Sequence, residues 1–438
     1  MPSQLTTLRP EGYRSRLIDS RLSTLLRGFG AVEVVGPKWC GKTWSAMTCA
    51  ASMIRLIDET TRLAVEQDVS LALMGEEPHL IDEWQEVPEV WDAVRMSVDD
   101  GAGRRGRYLL TGSHALKKKE RERIRHSGAG RIGRLKMSTM TLAELGWSDG
   151  SVSLKALFDG EGFDQHPCSV SMLDVARWCC RGGWPGALDL PDELAFEQGA
   201  QYIEAVLSGN VEDEGLSADL ARRFLRSLAF NVGQAATRPT LLKDAGLDEG
   251  SASQANTLDE YLAFFKRLYL IEEVGGWAPP MRAKNRVRTK PKRYFADPSL
   301  PAALFGASPE QLVFDTQTLG MLFENLVMHD LWAAVDSYPG VANRLCYYHD
   351  DKDLEVDAII ECGTKWAAIE VKLSDVKVDQ AAESLLRLRR KVVENPAAQN
   401  QADQNLEPAF MAVVTGRSTM AYRRKDGVYV IPAACLTA

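Results

Sequence analysis

The chain of 438 residues is short of several things, and each shortage removes a class of function. No apolar run approaches the roughly 20 residues of a membrane-spanning helix, so no membrane partner is expected. The opening MPSQLTTLRPEGYRSRL has no apolar signal region, which leaves the cytoplasm as the expected compartment. The eight cysteines (Cys40, Cys49, Cys168, Cys179, Cys180, Cys346, Cys362, Cys435) show no C-x-x-C spacing. Neither a zinc site nor a disulfide framework is therefore expected, and they read as small buried hydrophobes. Basic residues are outnumbered, 52 against 60 acids for a formal charge of -8, so any nucleic-acid binding has to rest on local patches. What remains is an ordinary globular composition, 45% hydrophobic and 26% charged. A single core seldom grows beyond about 250–300 residues, so two or three domains are expected.

The first motif is GPKWCGKTWSA, beginning at Gly36. Its G-x-x-x-x-G-K-T spacing lets successive backbone N–H groups converge on a phosphate while a lysine reaches the outer oxygens. A strand should enter it and a helix should leave it. AVEVV (Ala31 to Val35) is a short β-branched run, and TWSAMTCAASMIRLI from Thr43 has helix formers with apolar residues at helical spacing. The expected nucleotide contacts are Gly36, Pro37, Lys38, Trp39, Cys40, Gly41, Lys42, Thr43 and Trp44.

About forty residues later HLIDEWQ reads as a buried strand delivering acids to its C-terminal edge. Asp82, with Thr43, would hold Mg2+, and Glu83 would polarise the attacking water of ATP hydrolysis. RYLLTGS looks like a third strand, whose Thr111 or Ser113 hydroxyl would sense the γ-phosphate. VWDAVRMSVDD between them fits an amphipathic helix. The alternation strand, helix, strand, helix, strand implies a parallel sheet covered on both faces.

GPKWCGKT, LIDEWQEVPEVWDAVR, YLLTGS and AGRIGRLKMSTMTLAELG together resemble the AAA-superfamily ATPases of bacteria and archaea that join the ATPase to a C-terminal domain of unknown function. The likeness runs nearly end to end. It implies an Asp-Glu-x-Gln signature at Asp82, Glu83 and Gln85. It also implies that Arg131, after Gly130, is an arginine finger or phosphate sensor, acting within a chain or between chains; the plain alternative is a surface arginine. Lys38-Trp39-Cys40 replaces the commoner Arg-Gln-hydrophobic set. AAA relatives often form rings, so a homo-oligomer is an open expectation.

Past Gly150 the text reads as a polar linker until Leu173. RWCCRGGWPGAL then marks a tight turn between helices and resembles the family's segment near the ATPase lid, from which Arg181 could face the nucleotide. Residues 240–272 read as a short helix, a glycine turn and a longer helix with Leu258, Leu262, Phe265 and Leu268 on one side, the rhythm of a winged helix-turn-helix. Residues 282–293 carry seven basic residues and no acid, a patch that could track a DNA or RNA backbone or merely be a solvated hairpin. A second basic run, 117–125, is interleaved with Glu120 and Glu122 and reads as a solvated helix face.

LEVDAIIECGTKWAAIEVKLS is the last informative stretch. Two strands around Gly363-Thr364 would form a hairpin, with Asp357 on one and Glu370 and Lys372 on the same face of the other. Asp357 and Glu370 would hold Mg2+ while Lys372 orients the attacking water, and Glu324 from the preceding helix would add an acid. The set resembles the PD-(D/E)xK nuclease core; an exposed Glu–Lys pair is the plainer alternative.

The expected architecture is α/β throughout. Residues 1–150 form an AAA-type P-loop ATPase, 151–305 a helical lid and winged helix, and 306–438 a restriction-endonuclease-like domain. The cofactors are ATP and Mg2+. Nucleotide state would control a nuclease-like module acting on nucleic acid; alternatively the C-terminal domain only recognises a partner, its cleavage lost.

Overall fold

AVEVV folds into the predicted strand β1 (Ala31–Val35), with all five residues buried. Its one charged residue, Glu33, is neutralised by Arg134 on the neighbouring strand at 2.8 Å. The computed structural model describes residues 8–101, 103–112, 123–278, 290–340, 343–394 and 406–438. The chain divides into two compact units, Met1–Thr139 and Met140–Ala438.

In the N-terminal unit the elements run α1 (Asp19–Gly28), β1, α2 (Lys42–Met47), β2 (Ser52–Arg55), α3 (Glu59–Gln67), β3 (His79–Asp82), α4 (Glu89–Asp100), β4 (Tyr108–Thr111) and β5 (Ile132–Lys136). The strands form one sheet in the order β2-β3-β4-β1-β5, every pair parallel. Such a sheet is buried on both faces. Val32, Val34, Leu80 and Leu109 join Leu22 of α1 and Ala46 of α2 on one side. Ala31, Ile81 and Leu110 meet Val90 and Val94 of α4 on the other. β1 lies between β4 and β5, and its exit is where phosphate-binding loops gather in open α/β sheets.

One expectation fails here. The helix after the cradle was expected to run from Thr43 through SMIRLI, but α2 ends at Met47 and Ser52–Arg55 is the edge strand β2, paired with β3. A four-residue apolar run fits either period, and the open edge of β3 decides it.

In the C-terminal unit β6 (Val152–Ser153) and β7 (His166–Val170) precede helices α5 (Met172–Arg181), α6 (Ala218–Phe230), α7 (Arg238–Asp244) and α8 (Ala252–Arg267). β8 (Ile271–Val274) and β9 (Lys292–Phe295) then pair antiparallel. The long helix α9 (Thr316–Ser337) leads into β10 (Arg344–His349), β11 (Glu355–Cys362) and β12 (Lys365–Ser374), an antiparallel meander. After α10 (Val378–Val393), β13 (Phe410–Arg423) and β14 (Tyr429–Pro432) extend the sheet in parallel, and β15 (Leu436–Thr437) ends the chain.

Helices α9 and α10 cover opposite faces of this sheet. Leu319, Leu326 and Val335 of α9 share a cluster with Ile360, Ile369 and Val414. Ala381, Leu385 and Leu388 of α10 pack with Ile359, Ala368 and Val413. The expected linker before Leu173 is built into the fold. β6 pairs with β15 and β7 with β13, because HPCSV supplies an edge strand that its polarity conceals. The predicted helix, glycine turn and longer helix are present as α7, Gly246 and α8, with Leu258, Leu262, Phe265 and Leu268 buried.

Candidate functional site

The cradle follows β1 directly. Gly36 has φ +152, and a Cβ there would lie 2.1 Å from the Met137 carbonyl oxygen, so only glycine lets the loop leave the sheet at this angle. Trp39 at the apex is also left-handed, with φ 63, and its ring is exposed like that of Trp44. Cys40 is fully buried against Met137, and Arg16 ties the loop down by donating to the carbonyls of Cys40 and Ser138, each at 2.8 Å. Lys38 is half-buried and Gly41 is left-handed before α2. The Lys42 ammonium is turned back into the loop, donating to the Pro37 carbonyl at 2.7 Å and the Gly36 carbonyl at 3.1 Å.

Register brings the strand ends level with this loop, because Asp82 pairs with Thr111 and Arg55 pairs with Asp82. Asp82 Oδ1 accepts hydrogen bonds from Thr43 Oγ1 at 2.8 Å and Thr111 Oγ1 at 2.6 Å. A carboxylate joined to the hydroxyl that follows the cradle lysine is an all-oxygen set of the kind Mg2+ takes, so the residues present fit that ion. Glu83 follows the strand rather than lying on it, since β3 ends at Asp82 and Glu83 is left-handed with φ 55. Its carboxylate accepts a hydrogen bond from the Gln85 amide, which in turn lies against Gly112.

Arg131 is not brought to this place. It sits just before β5, whose first residue pairs with Ala31 at the start of β1, whereas the cradle follows the end of β1. That is a separation of about 13 Å along the strand direction. Arg131 pairs with Asp99 at 2.8 Å and is half exposed. Arg181 is likewise committed, donating to Asp192 and to the carbonyls of Ala187 and Leu190. Ser113 lies outside the described residues, as do 117–122 of the basic run; Arg123 of that run pairs with Glu89.

In the C-terminal unit Glu324, Asp357, Glu370 and Lys372 do come together, and the structure adds three residues to them. The Lys372 ammonium is 2.5 Å from Glu370 Oε2 and 3.1 Å from Asp357 Oδ2. Asp357 Oδ2 also accepts the Val371 N–H at 2.8 Å. Lys292, from the expected basic patch, is almost wholly buried. Its ammonium lies 2.5 Å from Glu355, 3.8 Å from Glu324 and 3.9 Å from Asp357. The Tyr294 hydroxyl donates to Glu324 at 2.7 Å. Asn325, one residue on, clamps β9 to α9 through the Phe295 N–H and carbonyl. Gly233 passes so close that a Cβ there would stand 2.9 Å from Glu324.

Lys292 and Tyr294 are two apart on β9 and so face the same way, a K-x-Y alternation that the run of basic residues concealed. Arg293 turns the other way to Glu273 at 3.0 Å, and residues 282–289 lie outside the described residues. Of the expected seven-residue patch, therefore, Lys292 and Arg293 are consumed by acids of the protein itself.

Four carboxylates face two ammonium groups, and the surplus, together with burial, shifts their proton affinities. Burial, reinforced by Asp357, pushes Glu370 up to about 9. Burial and Asp357 together push Glu324 up to about 7, against the pull of Lys292. Burial would raise Asp357 too, but Lys372 and Lys292 hold it below the usual aspartate range. The donors suit a divalent ion in kind and charge. Among the described residues, however, no three of these carboxylates bring oxygens within 4.8 Å of one another, and Lys292 stands between Glu324, Glu355 and Asp357. An ion would have to draw the acids together and move that ammonium.

Comparison with known proteins finds three family models along the chain. Residues 29–146 match the family model of an AAA domain. Residues 172–311 match a domain of unknown function, DUF8612, and 319–436 another, DUF4143. No curated protein matches. Among solved structures, one described as the Walker-type ATPase PABY2304 of Pyrococcus abyssi aligns at 14% identity and a TM-score of 0.41, covering 68% of this chain and 98% of that one. By the family match, the N-terminal unit holds an AAA-type domain. No helix among the described residues is long and apolar enough to cross a membrane.

Proposed function

We propose that the chain binds and hydrolyses ATP in its N-terminal unit, and that nucleotide state controls a nuclease-like module in the C-terminal unit that acts on nucleic acid. The observation that carries the ATPase reading is Asp82, held by both Thr43 and Thr111 at the mouth of the cradle. Bound there, Mg2+ would neutralise charge on the β- and γ-phosphates. Lys42 would exchange its two carbonyl partners for phosphate oxygens. Glu83, oriented by Gln85, would accept a proton from the attacking water. The nucleotide contacts proposed are residues 36–44. Steady-state phosphate release by wild type and Glu83→Gln, with and without DNA or RNA at stated salt, tests this. Turnover equal in the two proteins would refute the assignment of the base, and indifference to every nucleic acid would refute the coupling.

The nuclease-like reading is supported by Asp357, Glu370 and Lys372 on one hairpin with Glu324 beside them. The carboxylates would hold Mg2+, which would polarise a phosphodiester, while Lys372 places the water. A second reading is favoured by Lys292, whose ammonium already serves three of the acids. In that reading the C-terminal unit recognises a partner without cutting. Magnesium-dependent cleavage of DNA or RNA by wild type and its loss in Asp357→Ala would decide for the first; partners retained after nuclease treatment, with no cleavage, would decide for the second.

A further inference from the structure

The C-terminal unit holds another set of donors that shares no residue with the acid–lysine cluster. Asp149 lies in the loop before β6, His166 and Cys168 lie on β7, and Cys435 lies in the turn before β15. One ligand atom from each of Asp149, His166 and Cys435 lies within 4.8 Å of the others. His166 Nε2 and Asp149 Oδ2 are 2.8 Å apart. Cys168 follows His166 by two residues, both half-buried while Pro167 and Ser169 are exposed, so the two share a face of β7. Its thiol lies near enough to the Cys435 thiol for the two to interact electrostatically.

The backbone beneath these donors is fixed on every side. The Asp149 N–H donates to the Ala434 carbonyl at 2.8 Å, and Ser148 Oγ to the Leu436 carbonyl at 2.7 Å. β6 pairs with β15, and β7 is held in register on β13, His166 opposite Ala421. Asp149 Oδ1 accepts the Ser151 N–H at 2.9 Å, which orients its carboxylate as outer partners of metal ligands do.

We propose that Asp149, His166, Cys168 and Cys435 form a tetrahedral zinc site that staples the end of the chain to the start of the C-terminal unit. With Zn–S near 2.3 Å and Zn–N and Zn–O near 2.0–2.2 Å, tetrahedral ligand atoms stand about 3.3–3.8 Å apart, a modest contraction for Asp149, His166 and Cys435, while Cys168, outside that 4.8 Å group, has to swing its thiol inward to complete the set. Two sulfurs, an imidazole nitrogen and one carboxylate oxygen make a borderline-soft set, unlike the all-oxygen shells of magnesium or calcium. An exposed His–Asp pair alone would indicate nothing. Two thiols beneath it, one of them fully buried, do. On binding, two S–H bonds give way to two Zn–S bonds and the two protons pass to solvent, so uptake weakens as pH falls.

The test uses the full chain, reduced and stripped with a chelator, and Co2+ as the probe. Wild type should take up cobalt with a thiolate-to-cobalt charge-transfer band in the near ultraviolet and the intense visible bands of tetrahedral coordination, both bleached by Zn2+. Cobalt at Asp82 or in the acid–lysine cluster meets only oxygen and gives no thiolate band. Cys168→Ser and His166→Gln, chosen because neither residue is buried, should each lose at least about tenfold in affinity. Zinc should also raise the unfolding temperature of wild type more than that of His166→Gln. A missing thiolate band in wild type, or a band or a thermal shift that persists unchanged in the variants, overturns the site.

Discussion

Both units place lysines against oxygen atoms, but the oxygens differ and so does what the lysines can do. Lys42 rests on two neutral carbonyls of its own loop, partners that a charged phosphate outcompetes. Lys292 and Lys372 rest on ionisable carboxylates inside a buried cluster. On the proposed reading, the first arrangement is the one an anion from outside can take over. The second is largely self-neutralised, and anything that enters must replace a partner already present. Burying charge without such pairing costs several kcal/mol per ion, which is why the two clusters should answer mutation so differently.

The largest effects should fall on turnover in the N-terminal unit. Lys42→Ala is expected to lower ATP affinity and to reduce phosphate release by about a hundredfold or more. Glu83→Gln should reduce turnover by a comparable factor while nucleotide binding is kept. An unchanged ATP affinity in folded Lys42→Ala would erase the distinction between the two lysine environments. Stability should show the reverse pattern. Lys292→Met leaves Glu324, Glu355 and Asp357 without their shared cation and is expected to cost about 3–5 kcal/mol, read as an earlier unfolding transition of the C-terminal unit. Lys42→Met strands only carbonyls and should move unfolding far less.

Proton uptake sharpens the comparison further. Folded Glu370 holds its proton up to about pH 9, whereas unfolded glutamate releases it near 4.5. Between those values the folded state carries the extra proton, so stability falls as pH rises through the window. Glu324 adds the same trend up to about 7. Asp357 is shifted the other way and acts only in acid, below its ordinary value of 3.8. Without divalent ions, the unfolding temperature of the C-terminal unit should therefore drop by a few degrees between about pH 5 and 9, and Glu370→Gln should flatten the slope. A flat wild-type profile would mean that the carboxylate surplus is not real.

How far these sites could be read in advance follows from how their residues are distributed. Gly36 to Thr43 is contiguous, and β1, β3 and β4 are apolar runs that only a buried parallel sheet accommodates, so the cradle and Asp82 were legible. β2 was not, because four residues show no period. Lys292 was hidden for another reason: it lies in a basic stretch, and only the tertiary approach of α9 and β11 turns it inward. The proposed set of Asp149, His166, Cys168 and Cys435 has no local signature, because cysteine spacing is blind to residues joined by β6–β15 and β7–β13 pairing.

Arg131 gives the smallest expected effect and the finest cut between the units' own chemistry and that of an assembly. Its guanidinium pairs with Asp99 at the sheet edge opposite the cradle, in an ion pair exposed enough to contribute little to folding. Within one chain, then, Arg131→Ala should leave both unfolding and dilute ATP turnover within about twofold of wild type, as expected for an exposed pair. If turnover of wild type rises with protein concentration while that of Arg131→Ala does not, the arginine acts on a neighbouring subunit's nucleotide, as fingers supplied in trans do. A large loss at high dilution would instead require Arg131 to reach its own cradle across the full length of β1, contrary to the register of β1 with β5.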